Sequence, residues 1–507
     1  MRHKTFARYG TFVTLVTTVP SAFALDLPNA PAPPNIPNQT VILSAPADGV
    51  TDATAAINTA ITSLAKAGGG TLQFGDGTYL VTVNPNANFE VLNIQNYVRL
   101  AGAPDGGTII KLADAQGPYY TLIGNNSTVH DIAIDYITID MNGQNNLITS
   151  EAERAVDPRM AVHIGQGGYA RVADCTFVNV DDVNTLDFNG GTVSDVEVAD
   201  NSFTVGMPPG SFDFDHSTIY THAKRISVHD NTFVAAYGPG TPTARTAIEI
   251  HGDDMSVVNN MVDGYSIGTI ITGQAISSNR QLYKFNVLKN VMSGMEIVSE
   301  QWPNATTPYG MQNITIEYNQ LAMSPFVWRK TPLIGSAQPS PAIFFNPTPT
   351  NPAPISGLAI IGNQIIFPTG GSPVSGDEKS GGIILWSYNG LMTSISNMLV
   401  SNNRITNALG PAIWSNMNLT GGTVISSNTI LNPARSSACV ETTGIYISGA
   451  TANILVESNE ILDTATPSLI TPGIDAISSC DSSCVLSTNT VRPYSVTPSS
   501  LGSGWTQ

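Results

Sequence analysis

Acidic, imidazole and phenolic side chains occur at one repeated position of short β-rich segments in the middle of this 507-residue chain. Residues 219–222 (Ile-Tyr-Thr-His) align with residues 248–251 (Ile-Glu-Ile-His) at an offset of 29 residues. In both segments apolar and polar residues alternate, which is typical of a strand with one buried and one exposed face. Tyr220, His222, Glu249 and His251 are therefore predicted to lie side by side on one surface, where they could exchange protons with a bound substrate.

The same alignment extends this exposed strip over neighbouring segments. Asp187 precedes Tyr220 if residues 190–191 are an insertion, His163 lies one segment earlier, and Glu296 lies further along the chain. The predicted column is His163, Asp187, Tyr220, Glu249, Ile271 and Glu296, and the column beside it is Asn189, His222 and His251. Only 12% of the chain is charged, so this concentration of titratable groups favours a functional site over an ordinary solvated sheet face.

Aromatic residues occupy the same outward position further along the chain, at Phe344, Trp386, Trp414 and Tyr446. Aromatic rings on an exposed sheet face cost hydration unless another group covers them. Their flat faces suit the C–H faces of sugar rings, which predicts a row of sugar-binding positions. The alternative is that insertions at Pro325–Pro354 and Pro368–Ser380 cover the rings.

The composition excludes several classes of function. The chain has 21 Lys and Arg against 38 Asp and Glu, a formal net charge of −17, so it lacks the basic surface of nucleic-acid-binding proteins. A disordered acidic chain would carry more charge and fewer large apolar residues. The acidity also disfavours a polyanionic substrate, unless basic residues near the strip, such as Arg245 and Lys224, provide local positive charge.

Asparagine followed two residues later by an apolar residue recurs over residues 201–489. The positions are Asn201, Asn231, Asn260, Asn290, Asn319, Asn363, Asn403, Asn428, Asn459 and Asn489. Their spacings run from 25 to 44 residues, and the intervening segments are rich in Val, Ile, Thr and Ser. Such a repeat predicts stacked coils of short strands, in which the asparagine amides form a ladder of hydrogen bonds.

The N-terminal residues predict export and a helical cap. A positive start, an apolar stretch and an Ala-Phe-Ala cleavage sequence indicate a signal peptide over residues 1–24, so we expect a secreted or periplasmic protein. Residues 25–45 are Pro-rich and are interpreted as a linker, followed by one solenoid domain over residues 46–507. Asp52 is the expected N-cap of a helix between Thr54 and Lys66, which would cover the first coil.

The chain has four cysteines, at positions 175, 439, 480 and 484. Export permits disulfides, and Cys480 and Cys484 bracket a loop short enough for them to pair. The alternative is that all four are buried as small apolar residues, since connectivity cannot be deduced from the sequence.

The start of the solenoid carries a family resemblance. The Asp-Gly-Val-Thr-Asp sequence at residues 48–52, the helix, Gly68–Leu72 and Gly77–Tyr79 resemble the start of pectate-lyase-like proteins. Together with the asparagine repeat, they make the chain resemble the all-β, right-handed parallel β-helix superfamily over nearly its whole length. That superfamily includes polysaccharide lyases, glycoside hydrolases, uronan C5-epimerases and phage tailspikes, so the resemblance implies carbohydrate chemistry but not one reaction.

Glycoside hydrolysis is the preferred prediction. It needs an acid and a second carboxylate on either side of the scissile bond. Coils stack about 4.8 Å apart, so Asp187 and Glu249, two coils apart, would have backbones roughly 10 Å apart, near the upper end of the range of about 6.5–9.5 Å for inverting enzymes. The remaining candidates for catalysis or sugar binding are Glu296, Asp215, Tyr220, His222, His251 and His163.

A uronate lyase or C5-epimerase is the alternative enzyme. It must neutralise the substrate carboxylate, remove the neighbouring proton and return a proton from another group. Tyr220 and His222 could exchange the protons, and Arg245 or Lys224 could bind the carboxylate. The Asp-Pro-His signature of uronan epimerases falls on Asp187, where Phe188 and Asn189 replace the Pro and His, so this part of the resemblance is incomplete.

A third hypothesis is a non-catalytic glycan-binding β-helix, whose binding would depend on the aromatic residues and not on the carboxylates. No cofactor is predicted. Calcium is the alternative source of positive charge, because acidic loops can bind it, although no recognised ligand spacing is present. The expected partner is a polysaccharide, the expected state is a monomer, and no apolar run after the N-terminal stretch is long enough to span a membrane.

Overall fold

The computed structural model describes most of the chain. The described residues are 25–506 except 85, 87–88, 207, 213–215, 237–244, 274–277, 300–309, 325–340, 346–353, 370–380, 387–393, 436–441, 450, 465–469, 471–472, 478, 481–482 and 493–500. The predicted signal peptide, Asp215 and Cys439 lie outside them.

The described residues form a right-handed parallel β-helix. Each complete coil contributes to each of three parallel sheets, A, B and C, which contain 17, 15 and 13 strands, and one coil contributes two short strands to sheet A. The chain passes from sheet A to sheet B to sheet C in every complete coil. The all-β solenoid predicted from the repeat is therefore confirmed.

The bounds of the strands follow by sheet. Sheet A contains β1 Thr40–Ile42, β3 Gly70–Gln73, β6 Val98–Ala101, β9 Val129–Asp135, β12 Gly167–Ala173, β15 Ser194–Ala199, β18 Lys224–His229, β21 Met255–Val258, β24 Ser278–Lys284, β27 Met311–Glu317, β30 Ile355–Ile361, β33 Ser394–Ser401, β36 Asn418–Thr420, β37 Thr423–Ser426, β40 Ile454–Glu457, β43 Cys484–Ser487 and β45 Trp505–Thr506. Sheet B contains β2 Asp48–Asp52, β4 Gly77–Val81, β7 Thr108–Leu112, β10 Thr138–Asp140, β13 Thr176–Val180, β16 Ser202–Val205, β19 Thr232–Ala235, β22 Met261–Asp263, β25 Val287–Val291, β28 Gln320–Met323, β31 Gln364–Ile366, β34 Arg404–Thr406, β38 Thr429–Leu431, β41 Glu460–Leu462 and β44 Thr490–Arg492. Sheet C contains β5 Glu90–Asn93, β8 Thr121–Asn125, β11 Met160–Ile164, β14 Asn184–Phe188, β17 Ser217–Thr221, β20 Thr246–His251, β23 Ile267–Thr272, β26 Ser293–Val298, β29 Ile343–Phe345, β32 Ile383–Leu385, β35 Ile413–Ser415, β39 Ile445–Ile447 and β42 Ile474–Ala476.

Helices are few in the described part of the chain. Helix α1 spans Thr54–Lys66, as predicted, and buries Ile57, Ile61 and Leu64. Its N-cap is Ala53 rather than Asp52, but the Asp52 carboxylate still accepts the Thr54 N–H at 2.9 Å. A short 3₁₀-helix covers Gly143–Asn145, and helix α2 covers Glu151–Val156. None of these described helices is long and apolar enough to cross a membrane.

A ladder of buried asparagines runs along the turn between sheets A and B. At each step the backbone N–H and side-chain amide of one asparagine donate to the side-chain oxygen of the next, for example from Asn201 to Asn231 at 3.0 and 2.9 Å. Nine of the ten predicted residues belong to it. Asn290 does not, because it lies exposed within β25, and Asn286, the residue before that strand, occupies the ladder position.

Inside the coils, side chains from successive strands stack on one another. The rings of Phe177, Phe203 and Phe233 on sheet B stack with centroids 4.8 Å apart. Cys480 and Cys484 form a disulfide, which was one of the two alternatives predicted from the sequence. Cys175 is a buried free thiol, and its backbone N–H donates to Asn201, the first asparagine of the ladder.

The ladder predicts a large difference between two asparagines that look alike in sequence. Asn319 is fully buried, and its side chain donates to Asn363 and Tyr283 and accepts from Asn286. Asn319→Ala should lower the free energy of unfolding by about 3 kcal/mol, because several buried polar groups lose their partners. Asn290→Gly, which tolerates the left-handed backbone there (φ 51°), is the matched control and should cost under about 1 kcal/mol. Equal losses in urea unfolding would contradict the ladder's role.

Candidate active site

The outward face of sheet C carries the predicted column of polar residues. Strand pairing sets His163 opposite Asp187, Asp187 opposite Tyr220, and Tyr220 opposite Glu249 on strands β11, β14, β17 and β20. Their apolar neighbours in sequence point into the coil and are fully buried there. We call the set His163, Asp187, Tyr220, His222, Glu249, His251 and Glu296 the polar strip.

The register differs from the prediction at two positions of this column. Glu249 pairs with Ile270, which pairs with Glu296, whereas Ile271 points into the core. Strand β23 is apolar and buried along its whole length, so its sequence does not show which side chains face outward. For the same reason Ile384, and not Trp386, follows Phe344 in the column, and Trp386 lies two residues further on.

The middle of the polar strip is a hydrogen-bonded network. The Tyr220 hydroxyl lies 2.8 Å from His222 Nε2, and the His222 ring stacks on the His251 ring with centroids 4.0 Å apart. His251 Nε2 lies 3.1 Å from Glu249 Oε1, and the Ser217 hydroxyl donates to Glu249 Oε2 at 2.5 Å. Tyr220, His222 and Glu249 are half-buried, so they are the members that solvent reaches.

Burial makes His222 neutral. Loss of solvation, with the nearby His251 ring adding to it, lowers the pKa of His222 to about 3. The neutral imidazole and the Tyr220 hydroxyl share one hydrogen bond, in which the hydroxyl donates when the ring carries its proton on Nδ1.

Asp187 lies on one side of this network and is buried with His163. His163 Nδ1 is 3.2 Å from Asp187 Oδ2, whereas Oδ1 is buried and has no hydrogen-bond partner among the described residues. Burial raises the pKa of Asp187 despite the opposing effect of the His163 and Asn184 side chains. An unpartnered carboxylate oxygen beside a half-buried tyrosine is costly for folding alone, which supports a functional role.

Glu296 lies on the other side, two strands beyond Glu249. Its side chain is fully buried, and within the described part of the chain neither carboxyl oxygen has a hydrogen-bond partner of good geometry, although the Ser293 side chain lies close enough to lower its pKa slightly. Burial, with the charge of Glu249 adding to it, raises the pKa of Glu296 to about 7. Glu296 therefore keeps its proton up to neutral pH, and the strip holds carboxyl groups in contrasting environments.

The predicted aromatic row points outward but is covered. Phe344, Trp414 and Tyr446 form a buried cluster with Ile384, and Trp386 is half-buried with its ring 4.8 Å from that of Trp414. Of the two possibilities in the sequence, covered rings or open sugar-binding positions, the structure has the covered one. The half-buried side chains on this face of sheet C therefore lie on the side of the earlier coils, which is called the open side below.

Two aromatic residues on that open side were missed in the sequence. Phe89 and Tyr120 are half-buried, their rings stack with centroids 4.5 Å apart, and both lie within 6 Å of the His163 ring. Burial and the charge of Asp187 raise the pKa of Tyr120. Phe89 lies directly before β5 and Tyr120 directly before β8, and both strands precede the segments that the sequence alignment covered. Extending that alignment by one coil length from β11 would have reached β8 and Tyr120.

The predicted basic residues lie at the margins. Arg245 is buried directly before β20, and Lys224 is exposed at the start of β18 in sheet A. Asp215 is outside the described residues. Within the described ranges, no group of three His, Cys, Asp or Glu residues is arranged to hold a metal ion.

Two enzymes of known sequence match short stretches of this chain. No family model matches the chain. A stretch of 101 residues, 19% of the chain, is 41% identical to alginate lyase 7 of Azotobacter vinelandii, and 67 residues, 13% of the chain, are 43% identical to mannuronan C5-epimerase AlgE2 of the same organism. These stretches span only 12% and 7% of the two enzymes' own lengths.

Solved structures show the same architecture. The tailspike protein of E. coli bacteriophage HK620, in complex with a pentasaccharide, superposes with a TM-score of 0.61 at 15% identity, over 82% of this chain and 68% of the tailspike. A variant of that tailspike gives a TM-score of 0.62 over 90% of this chain. The chain is thus a right-handed parallel β-helix that carries a polar strip on sheet C.

Glu296 should make stability depend on pH. Its pKa is raised from 4.5 to about 7 in the folded state, so between these values the unfolded chain releases a proton that the folded chain keeps. The free energy of unfolding therefore falls as pH rises through this window, by about 3 kcal/mol. In Glu296→Gln this contribution should be absent when urea unfolding at pH 5 and pH 8 is compared.

The control is Glu317→Gln on sheet A, where Glu317 pairs with Lys284 at 2.6 Å. It should keep the wild-type difference between pH 5 and pH 8. If Glu296→Gln also keeps that difference, Glu296 is not the group that titrates.

Proposed function

We propose that the protein is a carbohydrate-active enzyme that cleaves a polysaccharide on the outward face of sheet C, by hydrolysis of a glycosidic bond. The observation that supports this most is that one column of the sheet holds a half-buried carboxyl group, Glu249, and a buried one, Glu296, two strands apart. Contrasting environments of this kind distinguish a general base from a general acid.

The roles follow from the surroundings of each group. Glu249 accepts hydrogen bonds from Ser217 and His251, so its oxygens are oriented as acceptors that can activate a water molecule. Glu296 keeps its proton to about pH 7 and can give it to the departing glycosidic oxygen. Two strand spacings of about 4.8 Å separate their backbones by roughly 10 Å, which suits inversion with a water molecule between substrate and base.

Asp187 is the second candidate acid, on the opposite side of Glu249 at the same spacing. Both acids are buried, so the mechanism requires the groups that cover one of them to move when the glycan binds. Phe89 and Tyr120 supply apolar ring surface beside Asp187, where a sugar next to the scissile bond can stack.

A uronate lyase or C5-epimerase is the second candidate, and one contact favours it. The Tyr220 hydroxyl points at the neutral His222 nitrogen 2.8 Å away, an arrangement that can pass a proton to or from the carbon beside a carboxylate. Alginate lyase 7 and the mannuronan epimerase, which match short stretches of this chain, are named for uronan chemistry. The two reactions predict opposite effects of Tyr220→Phe on kcat.

A polysaccharide panel assayed for reducing ends and for unsaturated-uronate absorbance separates the two reactions. Hydrolysis gives reducing ends without absorbance, and elimination gives both. For hydrolysis we expect Glu249→Gln, and at least one of Asp187→Asn and Glu296→Gln, to lower kcat by about 10²–10⁴-fold, while Tyr220→Phe keeps most of the activity. For elimination the loss should instead follow Tyr220→Phe.

Glu317→Gln on sheet A is the matched control and should keep wild-type turnover in either case. Full activity of all the variants on a substrate that the wild type cleaves would remove the polar strip from the mechanism. Retained glycan binding with neither reducing ends nor unsaturated uronate would instead favour a non-catalytic binding protein, provided that NMR of the polymer shows no C5 inversion, which is the product of an epimerase.

Removal of the open-side ring gives an independent test of where the glycan lies. Tyr120→Ala should raise KM by about 5- to 10-fold through loss of stacking area, with a smaller change in kcat. The control is Tyr318→Ala, which removes an exposed tyrosine from the turn between sheets A and B. If both variants have the wild-type KM, the glycan does not contact Tyr120.

A further inference from the structure

The Pro-rich segment interpreted as a linker in the sequence lies along the outer face of sheet A. Burial in this segment has a period of three: Leu25, Pro28, Pro31, Pro34 and Pro37 are half-buried, and the residues between them are exposed apart from Ile36. A polyproline II helix has three residues per turn, so every third residue faces the same side. The burial pattern is therefore that of a polyproline II helix resting on the sheet with one edge.

The residue after each of three prolines donates its backbone N–H to an aspartate of the sheet. Asn29 donates to Asp254 at 2.9 Å, Ala32 to Asp195 at 3.1 Å, and Asn35 to Asp131 at 2.7 Å. The donors are three residues apart in the chain. Because proline has no N–H, the prolines fill the packed edge while the residues after them supply the hydrogen bonds.

The two repeats have matching lengths. The three aspartates lie two coils apart from one another. Asp131 is in β9, Asp195 is in β15, and Asp254 directly precedes β21. Two coils at about 4.8 Å give roughly 9.6 Å, and three residues of polyproline II at about 3.1 Å each give roughly 9.3 Å. One turn of the segment therefore spans two coils of the solenoid, and each N–H meets an aspartate.

The aspartates are held in place for this contact. Asp131, Asp195 and Asp254 all have left-handed backbones, with φ between 56° and 60°. Arg225 and Arg280 each make two hydrogen bonds, to Asp195 and Asp254 respectively. Although partial burial alone would raise it, these bonds and that from Asn29 lower the pKa of Asp254 to about 2.

We propose that the outer face of sheet A is a docking groove for a polyproline II segment with proline at every third residue, and that residues 25–37 of this chain bind there as a strap. Leu25 packs over Gly357 of β30, where a Cβ atom would lie only 3.0 Å from its side chain. The strap thus reaches from the coil of β30 to the coil of β9. These coils include all of those that carry the polar strip on sheet C, from β11 to β26.

The strap supplies a connection that the coils lack by themselves. In a solenoid each coil contacts only its neighbours, so stability is nearly a sum of nearest-neighbour terms. A segment that bonds to every second coil couples coils that do not touch. This role is independent of the reaction proposed for sheet C.

A pair of proline substitutions in the full chain tests the contact. Ala32→Pro keeps the polyproline II backbone but removes the N–H that bonds to Asp195, whereas Ala30→Pro changes an exposed residue whose N–H makes no hydrogen bond in the described structure. Loss of a hydrogen bond to a charged group should speed amide exchange of Asn29 and Asn35 by about tenfold or more in Ala32→Pro. Ala30→Pro should exchange like the wild type.

A change of phase tests the register. Inserting Pro-Ala-Ala before Pro34 moves Ala32 by one full turn, from Asp195 to Asp254, so the amide of Ala32 should stay protected from exchange. Inserting a single alanine there rotates the donors away from the aspartates and should lose that protection. Equal exchange in Ala32→Pro and Ala30→Pro, or equal protection after both insertions, would overturn the proposal.

Discussion

The stacking of coils in one register is the constraint on which the rest of this structure depends. Parallel pairing holds neighbouring coils together, and the asparagine ladder gives each turn between sheets A and B a side chain that must meet the one above it. A slip of one residue would turn every outward side chain of sheet C into the core. The ladder therefore helps to set which residues share the outward column, although it is on a different side of the coil.

The polar strip uses that register to place unlike groups at a fixed spacing. Tyr220, His222, His251 and Glu249 form one connected network, and the carboxyl groups of Asp187 and Glu296 lie beyond it on either side. What distinguishes these carboxyl groups is their surroundings, because burial without a full set of partners raises the pKa of both. Further along the sheet the outward side chains are apolar and covered, so the strip ends where the aromatic cluster begins.

The strap on sheet A shows a second use of the same repeat. Three residues of the strap span two coils, whereas each step of the asparagine ladder spans one coil. The acceptors are carboxylates with left-handed backbones that neighbouring arginines hold in place. Two sheets of the solenoid thus have different roles: sheet C presents titratable groups, and sheet A binds a segment that joins distant coils.

The sequence by itself determined the fold, the capping helix and most of the outward column, because alternation and the repeat are local patterns that a single chain displays. It placed His163, Asp187, Tyr220, Glu249 and Glu296 on one face. It failed at Asn290 and Ile271, where a second asparagine or an unbroken apolar run makes two registers look alike. Only the tertiary structure decided that Glu296 and the aromatic row are covered, that Phe89 and Tyr120 border the site, and that residues 25–37 bind sheet A. Burial, pKa and docking arise from contacts between coils far apart in the sequence, and no local pattern records them.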